Sequence, residues 1–188
     1  MEKIAELARQ YNIKVIEDAS HAVGAKYKGN PVGSCEFSDI CVFSFHPVKI
    51  ITTLEGGMAM TNNIDLANSM RLLRSHGVTN DPSQMQGDSH GMWYYQQIEL
   101  GFNYRMNDVE AALGTSQLSK LDHFVTARNS LASMYNKQLA KNSIISPLTI
   151  APDVYSSYHL YVLRVDGINQ PQHKYIVESL RSEGIFAH

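Results

Sequence analysis

The sequence predicts an α/β fold: a mixed, mostly parallel sheet with helices, followed by the beginning of a small second α/β unit. Three observations carry that expectation. Residues 39–45 are apolar with few interruptions, as in a strand covered on both faces. A shorter apolar strand at 13–17 delivers Glu17 and Asp18 at its carboxyl end, the place where open α/β sheets bind ligands. Segments of helical spacing precede and follow these strands, each with one face to bury.

The elements follow in order. Residues 2–11 read as a short amphipathic helix with Ile4, Leu7 and Ala8 on one face. Strand 13–17 comes next, then turn chemistry at Lys28-Gly29-Asn30-Pro31. Pro47 ends strand 39–45 and leaves Lys49 in the turn just beyond. Gly56 and Gly57 allow a close backbone approach before strand 58–61. Asn63 caps a helix with Leu66, Ala67, Met70, Leu72 and Leu73 inward, and His76-Gly77 ends it with glycine at C′. Residues 78–102 have no clean period; Asp81-Pro82, Gly87 and Gly91 mark a loop with Trp93, Tyr94 and Tyr95 at its centre. Asn107 or Asp108 caps a long helix, 109–139, with a buried stripe of Ala111, Ala112, Leu113, Leu118, Leu121, Phe124, Val125, Leu131 and Tyr135. Pro147 and Pro152 mark the crossing into the second unit, where 158–165 alternates like a strand and 171–183 reads as a helix.

Composition narrows the function classes. The chain has 188 residues, 44% hydrophobic, with 16 basic and 18 acidic side chains, which suits one globular domain with an ordinary core. A net charge of −2 gives no reason to propose nucleic acid or a membrane surface as partner. No apolar run approaches the roughly 20 residues of a membrane helix, and the start lacks a signal-peptide pattern. Cys35 in a turn and Cys41 in a strand fit a reducing cytoplasm better than a disulfide framework. The 8 histidines are dispersed without HExxH or paired CxxC spacing, so no metal site is expected.

The chemistry centres on Lys49. A lysine held at the end of a buried strand and partly desolvated becomes a nucleophile toward carbonyls; a surface lysine in a loop is the plainer reading. Asp18 likewise has two readings, a cap for the segment that follows it or a ligand-facing carboxylate. Taken together, Lys49 and Asp18 meet the two demands of pyridoxal 5'-phosphate, a lysine for covalent attachment and a carboxylate that keeps the pyridine nitrogen protonated.

Four blocks then appear in order: EDASHAVGA at 17–25, FSFHPVK at 43–49, EGG at 55–57, and ELGFNYRMNDVEAALGTSQLSKLD at 99–122. In these the chain resembles the DegT/DnrJ/EryC1/StrS nucleotide-sugar aminotransferases, essentially from end to end. The resemblance implies a partial pyridoxal-phosphate-dependent transferase fold of type I, like aspartate aminotransferase. It also implies roles for single residues. Lys49 would carry the cofactor and move the proton between substrate carbon and cofactor. Asp18 would face the pyridinium nitrogen, His21 would lie beside the ring near its phenolic oxygen, and Ser44 would bind the phosphate. Asn103 would reach the active site of a neighbouring subunit, which makes the expected assembly a homodimer with shared sites. His21 also reads as an ordinary structural histidine, and Asn103 as a turn residue after Gly101. Some relatives replace the lysine with histidine and become dehydratases; here His46 accompanies Lys49, and Lys49 is the residue that matches, so transamination is expected.

HPVK at 46–49, LLRSHGV at 72–78 and GMWYYQQIELGFNYRMND at 91–108 most resemble members that transfer an amino group from L-glutamate to C4 of a UDP-4-keto-6-deoxy-N-acetylhexosamine. Action on another 4-keto sugar nucleotide, or a non-catalytic dimerising remnant, are the alternatives. Family members run to about twice this length. On that basis residues 1–145 match the carboxyl-terminal half of the large cofactor-binding domain with its interdomain helix, and 146–188 the beginning of the small domain. The chain by itself is then expected to be a fragment that binds the cofactor poorly and does not turn over.

Overall fold

A computed structural model describes residues 1–188. From the amino end run α1 (Glu2–Gln10), β1 (Ile16–Asp18), β2 (Lys26–Tyr27), β3 (Asn30–Pro31), β4 (Ile40–Ser44), β5 (Gly57–Met60) and α2 (Ile64–Leu73). They are followed by β6 (Val78–Thr79), β7 (Gln96–Gln97), α3 (Asp108–Leu118), α4 (Leu121–Leu139), β8 (Ile145–Pro147), β9 (Val154–Tyr155), β10 (Leu163–Val165) and α5 (Gln170–Ser182).

The apolar strand β4 is the middle of a mixed three-stranded sheet, β1-β4-β5. β1 runs parallel to it with Asp18 opposite Val42, and β5 runs antiparallel with Ser44 opposite Gly57. Asp39 fixes the start of this pairing: its carboxylate accepts from the Val15 amide at 2.9 Å and from Lys14 Nζ at 2.8 Å. A second sheet has the order β3-β2-β9. Its β2–β3 hairpin closes through Lys28 and Gly29, with φ of 50° and 84°, the two positive values that a type I′ turn requires. β9 pairs antiparallel with β2, Tyr155 opposite Lys26, and so ties the distal part of the chain to its beginning. β8 pairs with β10, and β6 with β7, both antiparallel.

Helix starts follow the expected local chemistry. Asn63 accepts from the amides of Asp65 and Leu66 at 2.9 and 3.0 Å. Asn107 and Glu110 form a reciprocal capping box at the head of α3. Asn169 and Gln172 do the same for α5.

Four expectations are corrected. The long helix 109–139 is two helices, because the backbone turns at Ser119–Lys120; the amides of Ser119 and Lys120 bond back to Thr115 and Gln117, and Leu121 begins α4. The strand expected at 158–165 is confined to Leu163–Val165, since Arg128 binds the carbonyls of Tyr158 and His159 at 3.0 and 3.4 Å and removes them from any ladder. The helical stripes are only partly covered. Ile4 and Leu7 stay 52% and 56% exposed while Ala5 and Ala8 are buried, α2 has no fully buried residue, and Val125 is the one member of the expected 109–139 stripe that is fully buried. The 78–102 segment, read as loop, contains the short β6–β7 ladder.

The core beneath the sheet end is small and specific. Val23, Phe45 and Ile51 cluster, with Phe43, Met106, Leu121 and Phe124 packed against them. Burying each such side chain is worth about 1.5–3 kcal/mol, so the turn after β1, the loop after β4 and the head of α4 are held as one unit. Both cysteines are free; Cys41 is buried and Cys35 partly so, and burial pushes the Cys41 thiol up to about 11. No helix is long and apolar enough to cross a membrane.

Candidate active site

The carboxyl ends of β1 and β4 lie side by side because the two strands are parallel neighbours. Asp18 is the last residue of β1, and Ser44 the last of β4. Lys49 follows in a loop closed at its base by three bonds. The Phe45 amide donates to Gly56 O at 2.8 Å, the Thr53 amide to Phe45 O at 3.0 Å, and Thr52 Oγ1 to the same Phe45 oxygen at 2.9 Å. Ile50 and Ile51, next in sequence, are buried, and the Lys49 amide donates to His46 O at 2.9 Å. The backbone on both sides of Lys49 is therefore fixed, while its side chain is half-buried.

Gly56 is required by this closure. Its φ is 152°, and a Cβ there would meet Thr53 Oγ1 and, at 2.7 Å, Met106 Cε. His46 Nε2 lies 3.9 Å from Glu55 Oε1 across the loop, which makes it part of the loop's rim.

Asp18 is exposed and accepts from the Ser20 hydroxyl at 2.5 Å and the Ser20 amide at 3.0 Å. Those two bonds hold its carboxyl below the usual carboxylate range, and the nearby His21 and Lys49 charges add smaller contributions in the same direction. Lys49 is thus near enough to Asp18 for its charge to act on the carboxylate. Ser44 Oγ accepts from the His46 amide at 3.4 Å, which leaves its O–H free to donate to an anion. The exposed His21 ring lies against His159, with centroids 4.4 Å apart. Asp18, His21, Ser44 and Lys49 are accordingly brought to the strand ends. Asn103 is exposed and pairs in an isolated bridge with Ser75 after α2, three residues before the Met106 that packs on the core.

The structure adds one residue that the sequence reading passed over. His159 comes from the distal segment, and its ring is shielded enough that burial, followed by the charges of His21, Lys49 and Arg128, holds its basicity below that of an ordinary histidine. The available signal was weak: turn-forming Ser156-Ser157 ahead of Tyr158-His159, against an alternation that suggested a strand. A separate groove of about 950 Å³ runs along β5 and α2, lined by Met58, Met60, Met70 and Phe102 among others, and does not include Asp18 or Lys49.

A family model described as the DegT/DnrJ/EryC1/StrS aminotransferase family matches residues 1–188. The chain belongs to that family. Among its relatives, a UDP-4-amino-4,6-dideoxy-N-acetyl-beta-L-altrosamine transaminase of Campylobacter jejuni is 44% identical over 185 residues, covering 98% of this chain and 46% of the relative. Helicobacter pylori PseC, described as an aminotransferase involved in the biosynthesis of pseudoaminic acid, superposes with a TM-score of 0.88 at 34% identity, over 100% of this chain and 47% of its own. The sugar aminotransferase Spr1654 of Streptococcus pneumoniae matches in a PLP-form, TM-score 0.80 at 30% identity over 97% of this chain and 47% of its own. It also matches in a PMP-form, TM-score 0.81 at 32% identity over 95% and 45%. The DegT/DnrJ/EryC1/StrS chain described above spans about half the length of the curated relatives it matches. Its fold is that of the type I pyridoxal-phosphate-dependent aminotransferases, mixed α/β, over the part it covers.

Proposed function

We propose that the protein transfers an amino group from L-glutamate to C4 of a UDP-4-keto-6-deoxy-N-acetylhexosamine, with pyridoxal 5'-phosphate as cofactor, in the cytoplasm. The observation that carries this reading is that Asp18 ends one strand, the Lys49 loop follows its parallel neighbour, and the lysine's charge acts on the carboxylate. These residues fit the cofactor: an amine on a fixed loop, an ionised carboxylate, and a free hydroxyl at Ser44 for an anionic oxygen. When bound, the cofactor supplies an electron sink that stabilises a carbanion at the carbon being aminated or deaminated.

The protein's own residues do the rest. Lys49 Nζ would hold the cofactor and could move a proton to and from the substrate carbon. Asp18 holds a proton at the ring nitrogen by its negative charge. Ser44 would donate to the phosphate, and His21 would offer a donor to the ring oxygen. Asn103, exposed and bridged to Ser75, would serve the site of a second copy, so that the working unit would be a homodimer. Residues 1–145 form the large-domain part and 146–188 the opening of the small domain. The sugar assignment rests on the Campylobacter jejuni and Helicobacter pylori relatives.

The test is direct. The full-length protein, completed to the length of its relatives, incubated with pyridoxal 5'-phosphate and reduced with borohydride is expected to carry a pyridoxyl group on the peptide containing Lys49; Lys49→Ala carries none, and Asp18→Asn keeps the label but loses turnover with 4-keto sugar nucleotides and L-glutamate. A label on another lysine, or none at all, rejects the assignment.

A further inference from the structure

His159 is delivered to His21 by anchors on the residues that lead up to it. Asn129 Nδ2 donates to Ser156 O at 2.9 Å. Ser157, 1% exposed, donates to the His21 carbonyl at 3.4 Å. The Arg128 guanidinium donates to the carbonyls of Tyr158 and His159, and Tyr158 is turned into the left-handed region at φ 47°. The residue that follows these anchors packs its ring on His21, tilted by 51°.

His159 Nδ1 is buried and has no hydrogen-bond partner. A protonated imidazole donates from both nitrogens, so protonation would place an unmet charged N–H at that buried position. Of the two neutral tautomers, an orphaned buried N–H is the rarer arrangement and a bare lone pair the more tolerable one. The proton therefore belongs on Nε2. The neighbouring cationic or titratable groups, His21, Lys49 and Arg128, all oppose a further positive charge. The ring is in consequence a rigid, uncharged surface against which His21 rests.

We propose that His159 is a positioning residue: held as the neutral Nε2–H tautomer, it sets the orientation of the His21 ring beside Asp18 and Lys49. Its consequence for catalysis rests on the function proposed above, whereas the geometry stands without cofactor. In the cofactor-free full chain, long-range ¹⁵N–¹H spectra near neutral pH are expected to show His159 as a single Nε2–H tautomer, with nuclear Overhauser contacts between its ring and that of His21. His159→Phe keeps a flat ring and preserves the pattern of His21 ring resonances and contacts; His159→Ala, at unchanged circular dichroism, shifts that pattern. In the loaded protein His159→Ala lowers kcat about tenfold through misorientation with KM nearly unchanged, and His159→Phe does not.

Wild-type spectra alone overturn the proposal if His159 shows mixed tautomers or no contact with His21, so it does not depend on the variants folding. An unchanged His21 pattern in His159→Ala overturns it too. If Lys49 takes up no cofactor while the His21–His159 pattern holds, the proposed function falls and the positioning stands; a labelled Lys49 without that pattern rejects the positioning alone.

Discussion

Ser20, two residues beyond Asp18, influences that carboxylate more than Lys49 does. Its hydroxyl and amide keep the acid ionised by hydrogen bonds that do not depend on the lysine's charge. An amine that becomes attached to a carbonyl compound would therefore leave Asp18 still able to stabilise a cationic ring. Asp39 illustrates a structural use of the same chemistry. Lys14, then the Val15 amide, hold its carboxyl below the usual range. With a folded value below the unfolded one, its contribution is complete above the ordinary carboxylate range near about 4 and disappears as pH falls through the folded value. Asp39→Asn is thus expected to lower the urea midpoint at neutral pH, with a gap from wild type that narrows toward about pH 3; a gap that does not depend on pH would count against the ion pair as its cause.

Among elements, the junction of α2 with the 98–105 segment is the most constrained. Gly101 lies against the backbone of His76 and Gly77, and a Cβ there would stand 2.7 Å from Leu73 O. Phe102 N donates to that Leu73 oxygen at 2.7 Å and Tyr104 N to Arg74 O at 2.9 Å, so a displaced Gly101 would carry the Asn103 bridge with it. Gly101→Ala should cost about 1–3 kcal/mol by overpacking, measured by denaturant unfolding, and should also reduce dimer formation; unchanged stability would show that the segment yields freely. The element scale is also where legibility in the sequence is clearest. Asn63 and Asn107 were readable because a cap needs only the next three residues, and β4 because its apolar residues run without a break from Ile40 to Phe43. Local pattern failed where a distant group decided the backbone: Arg128 on the 158–159 carbonyls turned an alternating stretch into a bend. The same holds for the site. Lys49 and Asp18 stood out from strand ends, but His159 acquires its meaning from His21, to which Ser157 is linked across 136 residues of sequence.

For the molecule as a whole, the three-stranded sheet leaves β1 and β5 each with one unpaired edge, and only 15 of 188 residues are fully buried. Exposed edges and apolar faces favour association. The chain on its own is expected to bind an apolar dye strongly and to scatter light as a species larger than 21.0 kDa; a dye-silent monomer would mean that the exposed methionines and aromatics are covered in solution in a way the structure does not display. The β2–β9 pairing joins Lys26 to Tyr155 and has a temporal side. A nascent polypeptide leaving the ribosome has Asp18 and Lys49 early, yet nothing to lay on His21 until synthesis has passed residue 159. Contacts of such long sequence separation form slowly, so the His21–His159 contact closes only after synthesis has passed that point, and folding helpers would have to shelter the unfinished pocket until then.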